Sequence, residues 1–201
     1  AMASPSHLFK FHMSEGGLRV PLIISGPEIK KGKNQNFAFV TDIAATLSDI
    51  VFDEVDERII GKSLQNSLAG SDEKNYTDSD SVGLEVTGNS ALFKGDFKIV
   101  RNRPPNGSNQ WELYNLSQDP GETINLATSM SDKLQELTEE YKAYAEKNGV
   151  IELPLDYEWA AEMTINTFKR NYLPLIWKAA FFIILAVFLV IVLIRRWRNS
   201  R

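Results

Sequence analysis

The chain has 201 residues, 43% of them hydrophobic and 24% charged, with a formal net charge of −4. That length allows one ordinary domain plus extras, and the mild acidity argues against a nucleic-acid partner, which would need concentrated Lys and Arg. No cysteine is present, which excludes disulfides, thiolate metal sites and a Cys nucleophile from these residues.

The opening, Ala1-Met2-Ala3-Ser4-Pro5, has no charged segment followed by an apolar run, so it does not read as a signal peptide. An export address would lie upstream, and the Ala-Met start reads as the edge of a fragment. Leu18 to Ser25 is a short β-type run between Gly16-Gly17 and Gly26-Pro27, with Pro21 placed where no ladder donor is needed. Phe37 to Val40 reads as a second short strand, after a polar loop with three lysines. Thr41 and Asp42 then open a helix, Thr41 as its cap and Asp42 favouring its positive end. Ile43, Leu47, Ile50 and Val51 recur at helical spacing and predict one buried face. Asp53 to Asp80 is polar and irregular, and its acidic end, Asp72 to Asp80, reads as a solvated loop.

Three β-like stretches follow, Val82 to Thr87, Ser90 to Phe93 and Phe97 to Arg101, with hairpin turns at Gly88-Asn89 and Lys94-Gly95-Asp96. Trp111 to Asn115 makes a fourth strand. A four-stranded antiparallel meander needs a helix over one face, and Asp132 to Lys147 supplies it. Leu134, Leu137, Tyr141 and Tyr144 form its apolar stripe, Ser129 and Asp132 have capping-box spacing, and Asn148-Gly149 is a stop.

Ala179 to Ile194 is an unbroken run of sixteen apolar residues, about 24 Å of helix at 1.5 Å per residue. Adding Tyr172 to Lys178 reaches the ~30 Å of a hydrocarbon core, with Lys178 near an end where its stem can snorkel. Trp177 and Trp197 flank the run as interfacial aromatics do. Arg195, Arg196, Arg198 and Arg201 lie beyond it, against Lys169, Arg170 and Lys178 before it. The expectation is a single-pass helix with a cytoplasmic tail and an exported N-terminal side, periplasmic or extracellular, with the lipid bilayer as partner. Leu155 to Thr167 reads as a linker or interfacial helix.

Glu15-Gly16-Gly17-Leu18-Arg19-Val20-Pro21 resembles the Glu-Gly-Gly-x-Arg-Val-Pro motif of the sulfatase family. Asp42 to Leu47 is similar to that family's Asp-x-x-x-Thr-Leu helix, and Gly95-Asp96-Phe97-Lys98 to its Gly-Asp-Trp-Lys strand, with Phe for Trp. Leu113-Tyr114-Asn115-Leu116 and Asp119-Pro120-Gly121-Glu122 resemble its closing motifs. Five motifs in order make the resemblance specific, and Ser6 to Lys10 looks most like the bacterial arylsulfatase branch.

The resemblance implies an α/β, alkaline-phosphatase-like sulfatase fold, of which this is the C-terminal part. Residues 1–52 would give the last strand and helix of the large domain, and 53–150 a subdomain of antiparallel sheet and helix. Outside the usual family pattern, residues 151–171 would be a linker or interfacial segment, 172–194 a transmembrane helix and 195–201 a basic cytoplasmic tail. It further implies an arylsulfatase that hydrolyses sulfate esters with calcium and a formylglycine made within a Cys/Ser-x-Pro-x-Arg motif. Neither that motif nor a metal-ligand set is found in this chain, so the isolated fragment is expected to be inactive. One active-site position carries over: Lys10 stands five residues before Glu15, where the family's sulfate-contacting lysine lies. Glu15, Gly16, Gly17, Arg19 and Pro21 are expected to be structural, with Arg19 bracing the loop of Lys10, while His7 and His12 match no family position. The alternatives are a fragment of a phosphonate or phosphate monoester hydrolase of the same superfamily, or a non-catalytic membrane-tethered remnant.

Overall fold

A computed structural model describes residues 6–199; the readings made on residues 1–5 and on Arg201 lie outside them. The chain divides into two compact units, one ending at Glu152 and the other beginning at Leu153. In the first, a one-turn helix α1 (Glu15–Leu18), a longer α2 (Thr41–Phe52) and a short α3 (Gln65–Leu68) precede four strands and the helix α4 (Ser131–Asn148). The strands β1 (Ser81–Val86), β2 (Asn89–Lys94), β3 (Phe97–Arg101) and β4 (Glu112–Asn115) pair antiparallel in the order β1-β2-β3-β4.

Strand alternation sorts the sheet into two faces. Leu92, Ile99 and Leu113 pair across neighbouring strands on one face and pack against Leu137 and Tyr141 of α4. The predicted stripe of Leu134, Leu137, Tyr141 and Tyr144 is the surface that covers them. Gly83 of β1 lies directly under the Tyr144 ring, where a Cβ would sit 2.4 Å from ring carbons. The opposite face carries Ala91, Val100 and Tyr114, covered by Met13 and, partly, by Leu18. Lys98 belongs to this second face, in register with Phe93 and Tyr114. The segment before α1 is thereby the lid of the sheet's second face.

The turns close one residue from where composition alone places them. Val86 pairs with Asn89, so Thr87 and Gly88 form the first hairpin, at φ 52° and 80°. Two successive left-handed residues match the twist of the flanking strands. Gly149 ends α4 in the left-handed region, as expected of a C-terminal stop.

Five expectations are corrected. Residues 19–26 form no strand: Leu18 closes α1, and the chain runs on without ladder partners among the described residues, leaving Val20 and Ile23 largely exposed. Phe37 to Val40 likewise forms no strand. On α2 the apolar face is bare, with Leu47 58% exposed, while Asp42, Ala45 and Thr46 are the buried residues. Thr41 does not cap this helix. Asp42 does the satisfying instead, its carboxylate accepting from the Phe39 amide (2.6 Å), the Lys62 amide (2.9 Å) and the Tyr76 hydroxyl (2.6 Å). The fifth correction is at α4, which starts at Ser131 with no side-chain cap, because Ser129 turns back to the Leu126 carbonyl.

In the loop from Asp72 to Asp80, Asp80 pairs with Lys62 at 2.7 Å, and hydrogen bonds from Lys62 and Thr77 hold its carboxyl down at about 2.

The second unit holds α5 (Trp159–Asn171) and α6 (Leu173–Asn199). Pro174 has no amide to give the Arg170 carbonyl, and the break between the helices falls at Tyr172, whose own amide still reaches Phe168 at 2.9 Å. None of the α6 side chains is buried. By length and composition, the stretch Trp159–Asn199 is long and apolar enough to cross a membrane.

Candidate functional site

Lys10 sits on a tightly wound loop, residues 6–14, between two non-glycine residues in the left-handed region, Leu8 at φ 60° and Phe11 at φ 78°. Such conformations cost an L-residue about 1–2 kcal/mol each, so something must hold them. Part of the hold is α1. The Gly16 amide donates to the His7 carbonyl at 3.0 Å, and a Cβ on Gly16 would lie 2.3 Å from that same oxygen. At Gly17 it would lie 2.1 Å from the His12 carbonyl oxygen. The Gly-Gly pair is therefore required by close backbone approach.

The rest of the hold comes from the sheet, through three asparagines. Asn89, at the start of β2, donates its amide to the Phe11 carbonyl at 2.6 Å and accepts from the Arg103 amide at 2.7 Å. Asn102, just past β3, accepts from the Met13 amide at 2.8 Å and donates to the Ser14 hydroxyl at 3.0 Å. Asn106 meets Nε2 of His12 at 3.1 Å, while Nδ1 of that ring faces the Phe9 carbonyl at 3.1 Å. A carbonyl only accepts, so Nδ1 carries a proton and Nε2 is free to accept from the amide. His12 is thus a buried link between two loops, whereas His7 is exposed.

Beneath the loop lies a buried ionic triad. Nζ of Lys98, whose side chain is 0% exposed, reaches Glu15 at 2.8 Å and Glu122 at 2.7 Å, over the ring of Phe93. Glu122 also accepts the Glu15 amide at 2.7 Å with its second oxygen. Burial pushes the Glu122 carboxyl above the usual range, opposed by the Lys98 ammonium and the Glu15 amide. The Glu-Gly-Gly motif, the Gly-Asp-Phe-Lys strand and the Asp-Pro-Gly-Glu turn, up to 107 residues apart, converge on this one point. Glu15 thus meets Lys98 through its side chain and Glu122 through its amide.

The sequence-expected residues are therefore only partly brought together. Lys10 is exposed, its ammonium 5.4 Å above the Phe11 ring. Arg19 does not brace its loop but reaches Gln35 at 3.3 Å. Pro21 lies in the exposed extended segment. Sequence reasoning placed Lys98 and Glu122 in motifs without a role, and passed over Asn89 and Asn102, whose partners are set by folding alone. Among the described residues no group of three or more His, Asp or Glu is arranged to hold a metal ion. With no Cys, and no Ser in a Ser-x-Pro-x-Arg sequence, these residues do not fit calcium or a formylglycine.

Comparison with known proteins identifies the arrangement. Residues 6–148 match the family described as N-sulphoglucosamine sulphohydrolase, C-terminal. An uncharacterized sulfatase of Schizosaccharomyces pombe is 32% identical over 78% of this chain and 30% of its own length. Arylsulfatase K of Xenopus laevis is 26% identical over 67% of the chain and 27% of its own length. An N-acetylgalactosamine-6-O-sulfatase of Bacteroides thetaiotaomicron is 28% identical over 65% and 28%. The chain thus spans under a third of the length of these relatives. Among solved structures, a protein of glycosaminoglycan metabolism from Bacteroides thetaiotaomicron superposes with a TM-score of 0.56 at 22% identity, over 67% of this chain and 31% of that one. The structure titled Ps i-CgsB superposes at 0.61 and 16% identity, over 85% and 38%. These two likenesses show the fold. With the family match covering the sheet, the triad and the loop of Lys10, the chain belongs to the sulfatase family, as a segment of its C-terminal domain.

Proposed function

We propose that this chain is the C-terminal portion of a membrane-anchored sulfate ester hydrolase of the arylsulfatase type, and that its direct contribution to the chemistry is Lys10. The observation that carries the reading is the held loop. An exposed lysine is ordinary, but one flanked by two left-handed residues and locked to the sheet by buried side chains is pre-organised. An ammonium carried on a backbone held in this way would neutralise charge on a sulfate oxygen, and on the leaving oxygen as the ester bond breaks. Calcium and a formylglycine would come from the part of the protein that the relatives possess and this chain does not span. The formylglycine would supply the nucleophile. The sulfate monoester is the substrate class we assign. The alternative of a phosphate or phosphonate ester keeps the same role for Lys10.

The test is an assay of the complete protein with 4-nitrophenyl sulfate and 4-nitrophenyl phosphate. Sulfate turnover is expected to dominate, and Lys10→Ala to lower kcat about 10²- to 10³-fold, the usual loss of one charge-stabilising donor. The isolated chain is expected to turn over neither ester. Preferential phosphate hydrolysis would replace the substrate, and an unchanged kcat for Lys10→Ala would remove the assigned role.

α6 is assigned as the anchor. Its Trp177 and Trp197 lie twenty residues apart, about 30 Å of helix, which matches the hydrocarbon thickness between two aromatic belts. The Arg cluster after the run supports a cytoplasmic C-terminus and an exported sulfatase unit.

A further inference from the structure

We infer that Asn89 and Asn102 are positioning residues of the sulfatase site, acting through the left-handed Phe11 on Lys10. The inference rests on Lys10 being the sulfate contact. Phe11, the residue after Lys10, has φ 78°, and its ring lies 5.4 Å below the Lys10 ammonium. Free in water, a residue this bulky would leave the left-handed region. The Phe11 carbonyl is fixed by the Asn89 amide at 2.6 Å, and the Met13 amide two residues on is fixed by Asn102 at 2.8 Å.

Both asparagines are themselves buried. Asn89 is 1% and Asn102 5% exposed, and each uses its second polar atom on a further group, the Arg103 amide and the Ser14 hydroxyl. Asparagine is suited to this task because one planar side chain offers a donor and an acceptor at once. Leucine of similar size would strand a buried carbonyl or amide, and aspartate would lose the donation to Phe11. The small sheet is then more than a stabilising appendage. Its first hairpin and the end of its third strand set the direction in which the ammonium of Lys10 is offered.

A clamp that acts through Lys10 differs from one that merely holds the fold, and a double-mutant cycle separates them. In the complete protein, Asn102→Ala is expected to lower kcat/KM for 4-nitrophenyl sulfate about 10- to 100-fold, as misplacement of a catalytic group by about 1 Å does, and to weaken product inhibition by inorganic sulfate. In a Lys10→Ala background the same substitution is expected to change little, because the group it positions is gone. An equal loss in both backgrounds, with Lys10→Ala itself damaging, overturns the clamp and leaves the Lys10 reading intact. A damaging Asn102→Ala beside a harmless Lys10→Ala overturns both.

Should Asn102→Ala fail to fold, Asn89→Asp serves in its place. It keeps acceptance from the Arg103 amide and loses only the donation to the Phe11 carbonyl, so kcat/KM and sulfate inhibition should both fall. Unchanged kinetics for Asn89→Asp would overturn the inference.

Discussion

Lys98 has no access to water, and the two carboxylates that face it are almost as deeply buried. Taking an ammonium out of water is costly, and an incomplete set is worse than none, because the charges left behind have neither partner nor solvent. Lys98→Met in the complete protein is accordingly expected to destabilise it by about 3–5 kcal/mol, read as a fall in the urea midpoint. The deficit should depend on pH in a defined direction. A carboxyl whose folded pKa is raised, as at Glu122, contributes stability below its unfolded value and loses it as pH rises through the folded one. The Lys98→Met deficit should therefore be largest near pH 7 and shrink as pH falls, where the stranded Glu122 carboxyl takes up a proton. A deficit independent of pH would mean that the triad is not ionised as drawn. In the sequence, Glu15, Lys98 and Glu122 were visible as motif residues. Their meeting was not, since nothing in the chain between them encodes a contact 83 or 107 residues away.

Elements were legible in proportion to how much of their packing is local. β3 was read with its observed ends, and α4 within a residue at each, because alternation, helical spacing and turn residues all lie within a few positions of one another. The stretch from Leu18 to Ser25 has the composition of a strand and α2 has an apolar face, yet neither is completed. Periodicity states which side is apolar and leaves open what covers it. Ile43, Leu47, Ile50 and Val51 make an exposed apolar face on α2, and Val20 and Ile23 are exposed as well, which the remainder of a longer protein is expected to bury. Leu47→Glu tests this in the complete protein. An exposed position would shift stability by no more than about 0.5 kcal/mol, whereas a covered one should lose about 2 kcal/mol or more from the missing apolar burial alone. A neutral substitution would leave this face bare in the assembled protein as well. The candidate site follows the same rule. The motif register gave Lys10 and the glycine pair, while the asparagines that fix the loop come from strand ends whose place is settled only by folding.

At the scale of the whole molecule, a unit of the sulfatase family precedes a helix rich enough in apolar residues to enter a bilayer. Replacing Ile184, near the middle of that helix, by Arg sets a charge where insertion costs about 2.5–3.5 kcal/mol. The expected outcome is a shift of the protein from the membrane fraction to the soluble one after carbonate extraction. Equal membrane retention of the Ile184→Arg protein would argue for a helix packed in protein. The spacing of Trp177 and Trp197 has one more consequence. Two rings held about 30 Å apart by a rigid helix act as a ruler for bilayer thickness, and each ångström of mismatch carries a small penalty paid by tilt or by deformed lipid. A helix of this length would be at ease in a membrane of average thickness and slightly short for a sterol-rich one. Such a helix would then favour one membrane over another, and with it the surroundings of the unit that precedes it in the chain.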